Sequence, residues 1–168
     1  MQISLHLFAD DGDIPNSRLP LILYAGAIDV TAGDAALAFE RMFQGNGWGH
    51  GWRNGIFPFH HYHSTAHEVL GIAAGSAEVR FGGEGGATVQ ARAGDAVLIP
   101  AGVGHKRLSG SPDLLVIGAY PSPAHVDLMR EGAEDTAAIR RRIAAVPMPQ
   151  ADPVAGAGGP AVVEWARA

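Results

Sequence analysis

Apolar positions recur every second residue over much of this chain and at helical spacing in only a few windows. Near the start, Ile3, Leu5 and Leu7 alternate with polar or smaller residues, as in a half-buried strand. The turn-forming DDGDIPN then leads into the apolar run LPLILYAGAI. Two N-terminal strands are expected, Gln2 to Phe8 and Leu19 to Ala25. Between Thr31 and Gly45 the spacing of Ala36, Phe39 and Phe43 predicts one amphipathic helix, with Asp34 as its cap and Gly45 as its stop. The following GNGWGHGWRNG carries too many glycines for a regular element, and Trp48 and Trp52 are expected to fold back into core packing.

From Gly75 onward the pattern is all-β. Ala77, Val79 and Phe81 alternate with Glu78 and Arg80, and GGEGG forms a hairpin loop into TVQAR. AVLIP and LLVIGAY read as buried strands, separated by PAGVGH and SGSPD. Short strands punctuated by turns point to a closed sandwich or barrel. The end of the chain differs: residues 134 to 145 read as a helix, PMPQADPVAGAGGP as an irregular arm, and AVVEWA as a last strand.

Composition sharpens this picture. Glycine accounts for 23 of 168 residues, about twice its usual share, and charged residues for 17%, below the usual ~25%. Many tight turns between apolar strands produce that balance. The absence of cysteine excludes disulfides, iron-sulfur clusters, thiolate zinc sites and cysteine nucleophiles, so any metal must be held by nitrogen and oxygen. A net charge of -5 argues against nucleic acid or an anionic membrane as the main partner, and Arg140-Arg141-Arg142 reads as a solvated helix face. No signal-peptide pattern opens the chain and no apolar run reaches the ~20 residues of a membrane span, so a cytoplasmic protein is expected.

The densest chemistry lies in HHYHSTAHE, His60 to Glu68. On an extended strand His61 and His63 share one face, while His60 and Tyr62 share the other. Glu68 lies an odd number of residues beyond His63 and joins them only if a turn or bulge at Ser64 to Ala66 brings it round. A helical alternative would pair His63 with His67, but the zinc-hydrolase pattern needs a glutamate directly after the first histidine, where Ser64 stands. Further on, the Pro and Gly turn of PAGVGH delivers His105 to the start of another strand. Three histidines and one carboxylate then form an all-N/O site.

These residues resemble the cupin superfamily. Its first motif, G-x5-H-x-H-x4-E-x6-G, is met without gaps by Gly55, His61, His63, Glu68 and Gly75. Its second, G-x5-P-x-G-x2-H-x3-N, is met by Gly94, Pro100, Gly102 and His105, with Ser109 in place of the final asparagine. The motifs occur in order with 18 residues between Gly75 and Gly94. NSRLPLILY, NGWGHGWRNG, HHYHSTAHEVLG and PAGVGHK further resemble the YjlB-like group of small bacterial cupins.

The resemblance implies an all-β fold, the double-stranded β-helix or jelly-roll barrel, with a few peripheral helices. At 168 residues the chain fits one domain over 1–168: N-terminal strands and helix in 1–50, the barrel motifs in 51–123, a helix and C-terminal arm in 124–168. One divalent metal ion (Fe, Mn, Ni, Co or Zn) would be bound by His61, His63, Glu68 and His105. The competing readings are a metal-free pocket of hydrogen-bonded histidines and a metal that only rigidifies the barrel. His60 and His67 are expected on the opposite strand face or in the turn, at best orienting a ligand, and His6, His50 and His125 at the surface or in loops.

Two function classes follow. One is a metal-dependent enzyme of oxygenase or isomerase type acting on a small molecule in the barrel. The other is a non-catalytic small-molecule-binding cupin whose metal fixes ligand orientation. No catalytic residue is singled out by the sequence. A homodimer is expected, because the apolar N-terminal strands would otherwise leave an open edge, and cupins commonly cover it by extending a sheet between subunits.

Overall fold

The alternation in the sequence becomes two antiparallel sheets in the computed structural model, which describes residues 1–123, 125–133 and 136–168. The strands are β1 (Gln2–His6), β2 (Leu21–Ala25), β3 (Trp48–Asn54), β4 (His61–Tyr62), β5 (Glu68–Ala74), β6 (Ser76–Phe81), β7 (Ala87–Arg92), β8 (Ala96–Ile99), β9 (His105–Gly110), β10 (Leu115–Pro121) and β11 (Met129–Arg130). One sheet runs β1, β2, β8, β5, β10, β3; the other runs β11, β4, β9, β6, β7. From β4 to β10 the chain passes repeatedly from one sheet to the other, the jelly-roll arrangement expected of an all-β cupin fold.

Why AVLIP and LLVIGAY are apolar on both faces is now plain. On one side of the six-stranded sheet, Leu70, Ile72, Val97, Ile99 and Val116 meet Val79 and Phe81 of the facing sheet. On the other side, Val69, Leu98 and Ile117 pack under Phe39 and Phe43 of helix α1 (Ala35–Gly45) and under Trp48 and Trp165. Helix α1 begins as the sequence predicts, with the Asp34 side chain accepting from the Leu37 N–H at 3.0 Å. Both N-terminal strands are present, although β1 stops at His6 and β2 starts at Leu21.

Two expectations are overturned. GNGWGHGWRNG is not irregular: Trp48–Asn54 is β3, an edge strand paired with β10. Pairing with a core strand and burial of Trp48 override the poor strand propensity of glycine. AVVEWA is not a strand: it forms the short helix α3 (Pro160–Val163) and a 3-10 turn at Trp165–Arg167. Pro160 opens α3, and Ala161 and Trp165, four apart, are both buried. The predicted helix over 134–145 is found as α2 (Thr136–Ala144); positions 134 and 135 lie outside the described residues. Among the described residues no helix is long and apolar enough to cross a membrane.

The C-terminal arm is fastened to the outer face of the six-stranded sheet by polar contacts. Trp48 Nε1 donates to the Ala151 carbonyl at 2.9 Å, and Trp165 Nε1 donates to that of Pro20 at 2.8 Å. At the centre is Asp152, which is fully buried. Its carboxylate accepts from the Tyr24 hydroxyl at 2.5 Å and from the backbone N–H groups of Val154, Ala155 and Ala161 at 2.8 Å each. Burial, then the hydrogen bond to Asp152 and its charge, push the Tyr24 phenol far above its ordinary pKa, so it remains a donor. Replacing Asp152 by Ala takes the acceptor from four donors, two of them buried, and the expected loss is about 3 to 5 kcal/mol of unfolding free energy in urea titrations. A loss below about 1 kcal/mol would show that the arm does not depend on this carboxylate.

Candidate metal centre

The site forms where the chain crosses between sheets. His61 opens β4 and pairs across the ladder with His105, the first residue of β9. His63 follows β4 directly, and Glu68 opens β5 in the opposite sheet. Along β5, Glu68 is in phase with Leu70 and Ile72, so it faces the space between the sheets. The turn ending at Gly104 delivers His105; Gly102 there has φ of +92°, and an added Cβ would lie 2.3 Å from the Asn16 carbonyl oxygen.

Three of the four expected ligands come together closely. Ligand atoms of His63, Glu68 and His105 all lie within 4.8 Å of one another. Both imidazole Nε2 atoms approach the same carboxylate oxygen, Glu68 Oε2, at 3.3 Å from His63 and 3.2 Å from His105. His61 stands beside this group, its ring centroid 4.0 Å from that of His105 and 6.1 Å from that of His63.

The tautomers follow from the partners of the other ring nitrogens. His61 Nδ1 faces the Phe59 carbonyl at 3.0 Å, His105 Nδ1 faces that of Val103 at 3.2 Å, and His63 Nδ1 faces that of Asp127. A carbonyl oxygen only accepts, so each Nδ1 carries a proton, and Nε2 is left as the atom that takes either a further proton or a metal ion. Backbone carbonyls orienting imidazoles in this way are the usual support for metal-bound histidines. A donor set of imidazole nitrogens around one carboxylate fits a divalent cation held without sulfur.

Electrostatics agree with that fit. Burial would raise the Glu68 carboxyl, but His63 and His105 outweigh it and hold the group well below the usual carboxylate range. Burial lowers His63, yet the Glu68 charge and hydrogen bond prevail and carry it up to about 8. His61, lowered first by burial and next by His105, falls to about 3 and keeps its lone pair. A proton and a metal ion therefore compete for the same atoms.

The centre opens into a cavity of about 700 Å³, walled in part by Trp52, Phe57, Leu70, Leu114 and Tyr120. Gly118 makes room for one wall: a Cβ there would lie 2.0 Å from the Trp52 ring. The Trp52 indole packs against the inter-sheet core as well as lining the cavity, and its Nε1 donates to the Tyr120 hydroxyl at 2.9 Å. The Tyr120 hydroxyl in turn lies near enough to the Glu68 carboxylate to feel its charge. Burial, then the Glu68 charge, raise the Tyr120 phenol far above its ordinary value, so the group stays protonated.

Comparison with known proteins accords with this geometry. The family model described as "Cupin domain" matches residues 52–111. The uncharacterized protein YjlB of Bacillus subtilis (strain 168) is 41% identical over 163 residues, covering 96% of each chain. The chain belongs to the cupin superfamily. Solved structures that are similar in fold include procruciferin, an 11S globulin from Brassica napus, at 19% identity and TM-score 0.39. That match covers 48% of this cupin but 21% of the globulin chain. The TDP-fucose-3,4-ketoisomerase WlaRA from Campylobacter jejuni is 10% identical with TM-score 0.36, covering 74% of this chain and 85% of its own. Likenesses of this size bear on neither substrate nor reaction.

The remaining histidines of the HHYHSTAHE segment lie away from the cupin cavity but are buried. His60 Nε2 meets Glu84 Oε1 at 2.7 Å. His67 Nδ1 accepts from the Ala101 N–H at 2.9 Å, with its ring 4.7 Å from that of Trp165. His50 and His125 are exposed as expected, and His6 is half-buried.

Sequence reasoning missed Tyr120 and Asp127. Tyr120 shares the inner face of β10 with Val116, a parity readable from the strand but not assignable to the site without its neighbours. Asp127 supplies the turn that the sequence required after His63. Its carboxylate accepts from the Ser64 N–H at 2.7 Å, the Thr65 hydroxyl at 3.1 Å and the Ser64 hydroxyl, while its carbonyl holds His63. Asp127→Ala is expected to lower stability by about 2 to 3 kcal/mol in urea unfolding, because three donors lose one acceptor. A change under about 0.5 kcal/mol would remove Asp127 from this role.

Proposed function

We propose that this protein is a metal-dependent cupin enzyme, of oxygenase or isomerase type, acting on a small molecule in the cavity beside His63, Glu68 and His105. The observation carrying this reading is the convergence of two Nε2 atoms on one buried carboxylate oxygen, at 3.3 and 3.2 Å, at the wall of a cavity large enough for a small organic ligand. His61 completes the proposed ligand set, its tautomer prepared by Phe59 and its ring beside His105. A divalent ion held there supplies Lewis acidity toward a substrate oxygen and, if redox-active, dioxygen chemistry. Around it the chain does the rest. Trp52, Phe57, Leu70 and Leu114 exclude water from the ligand, and Tyr120 holds a proton at its hydroxyl beside Glu68.

Metal content of protein purified without chelator tests the assignment. His63→Ala, His105→Ala and His61→Ala are each expected to lose most of the bound metal, and Glu68→Gln to hold it more weakly against a competing chelator. His67→Ala is expected to stay within ~10 to 100-fold of the parent affinity per folded protein. Full occupancy in the first three variants would overturn the site. Bound zinc together with no oxygen uptake on catechols, thiols or keto acids would favour the binding-only alternative or the isomerase over an oxygenase.

A homodimer completes the proposal. β1 is the edge of its sheet, and Ile3, Leu5 and Leu7 are exposed at 42%, 46% and 68%. An unpaired edge carrying an apolar stripe favours pairing with a second copy. Light scattering at micromolar protein is expected to give twice the 17.5 kDa chain mass, and Leu5→Lys to shift it toward one chain. A monomeric parent protein would overturn this assignment.

A further inference from the structure

We infer that the cavity takes a small organic anion, a carboxylate carried on an apolar or aromatic body, with the carboxylate seated by Arg107. The inference rests on the reading of the cavity as a small-molecule site and names the ligand class for it. Among the described residues lining the cavity, Arg107 is the only arginine or lysine and Glu68 the only acid. Glu68 is already engaged by His63, His105 and Tyr120.

The guanidinium is held but not neutralised. Arg107 Nε donates to the Ile56 carbonyl at 3.1 Å, and its backbone N–H donates to that of Phe57 at 3.0 Å. Five other arginine heads meet a carboxylate: Arg53 with Glu40, Arg80 with Glu84, Arg140 with Asp10, Arg142 with Asp127 and Arg167 with Glu164. Among the described residues Arg107 has no such ion pair, although its side chain is half-buried in the cavity wall. Its Nη1 lies close to Gly110, which lines the cavity together with Ser111 and Pro112. A fixed guanidinium with free η N–H groups is a fork matched to a carboxylate.

Position adds the rest of the description. His105 and Arg107 are two residues apart on β9 and both line the cavity, which places their Cα atoms roughly 7 Å apart. One end of a ligand bound along β9 therefore faces the imidazole and carboxylate centre and the other faces Arg107. Along the same wall Trp52, Phe57, Leu70 and Leu114 offer apolar and aromatic surface for the body of a ligand, with Asn54, Ser111 and Tyr120 as the neutral polar side chains. Charge reinforces the preference: a divalent ion with one carboxylate leaves a net +1, and Arg107 raises the cavity to +2.

The probes are benzoate and its neutral isostere benzamide, titrated into the metal-loaded protein. The readout is the indole N–H signal of Trp52 in NMR spectra. Trp48 and Trp165, whose indoles donate to backbone carbonyls outside the cavity, serve as internal controls. Benzoate is expected to bind at least about tenfold more tightly than benzamide, the difference of one charge-assisted hydrogen-bonded pair. Arg107→Gln, which keeps a side-chain N–H, is expected to abolish that preference with metal content unchanged. Arg107→Lys, which keeps the charge but not the fork, is expected to retain part of it. Equal binding of the two probes, binding of neither, or a preference that persists in Arg107→Gln would overturn the inference and leave the metal assignment standing. Absence of metal would overturn the proposed function instead, and the two probes would still report on Arg107.

Discussion

Burial of the Glu68 carboxylate between two β-sheets is the constraint on which the rest of this structure depends. An unpaired ionised carboxylate in such a place costs several kcal/mol, and it persists only where neighbouring donors compensate. Here compensation comes from both sheets. His105 arrives from the five-stranded sheet, His63 from the crossing between sheets, and Tyr120 from the six-stranded sheet that carries Glu68 itself. The strand crossings of the jelly roll thus determine the electrostatics of its centre.

Each of those groups is in turn fixed by backbone or by a further side chain. Carbonyls of Phe59, Asp127 and Val103 orient the three imidazoles, Trp52 holds Tyr120, and Asp127 ties down Ser64 and Thr65 so that His63 and Glu68 can face one another across the turn. Such support matters because a binding or catalytic constellation loosened by 1 Å loses much of its effect. Helix α1 and the C-terminal arm contribute from the far side. By covering the outer face of the six-stranded sheet they bury it on both faces, which stiffens the strands that carry Glu68 and Tyr120. The cavity is consequently a fixed shape with unlike ends: imidazoles and a carboxylate at one, and the guanidinium of Arg107 at the other.

Much of this was legible in the sequence. Two-residue alternation identified most of the strands, since strand faces are encoded by neighbouring residues and need no tertiary information. The same parity put His61 and His63 on one face, and the Pro and Gly turn before His105 was readable from turn chemistry alone. Motif spacing then placed the chain among the cupins. Failures occurred where local signals misled. In β3, pairing with β10 outweighs glycine's low propensity, and near the C-terminus the helical spacing of Ala161 and Trp165 is too short a pattern to outweigh an apolar run.

What only the tertiary structure decided is which groups meet. Asp127 lies 64 residues from the histidine it orients, and Trp52 lies 68 from the tyrosine it holds. No local periodicity carries information over such separations. The sequence by itself determined the strand faces, the turns and the all-nitrogen-and-oxygen character of the site, because these depend on side-chain chemistry and on neighbours within a few residues. The crossing of the chain between sheets decided that Glu68 would lie against His63 and His105, that His60 and His67 would be buried elsewhere, and that Arg107 would stand in the cavity wall with no carboxylate partner among the described residues. Those outcomes depend on packing two sheets face to face, which brings together residues remote along the chain.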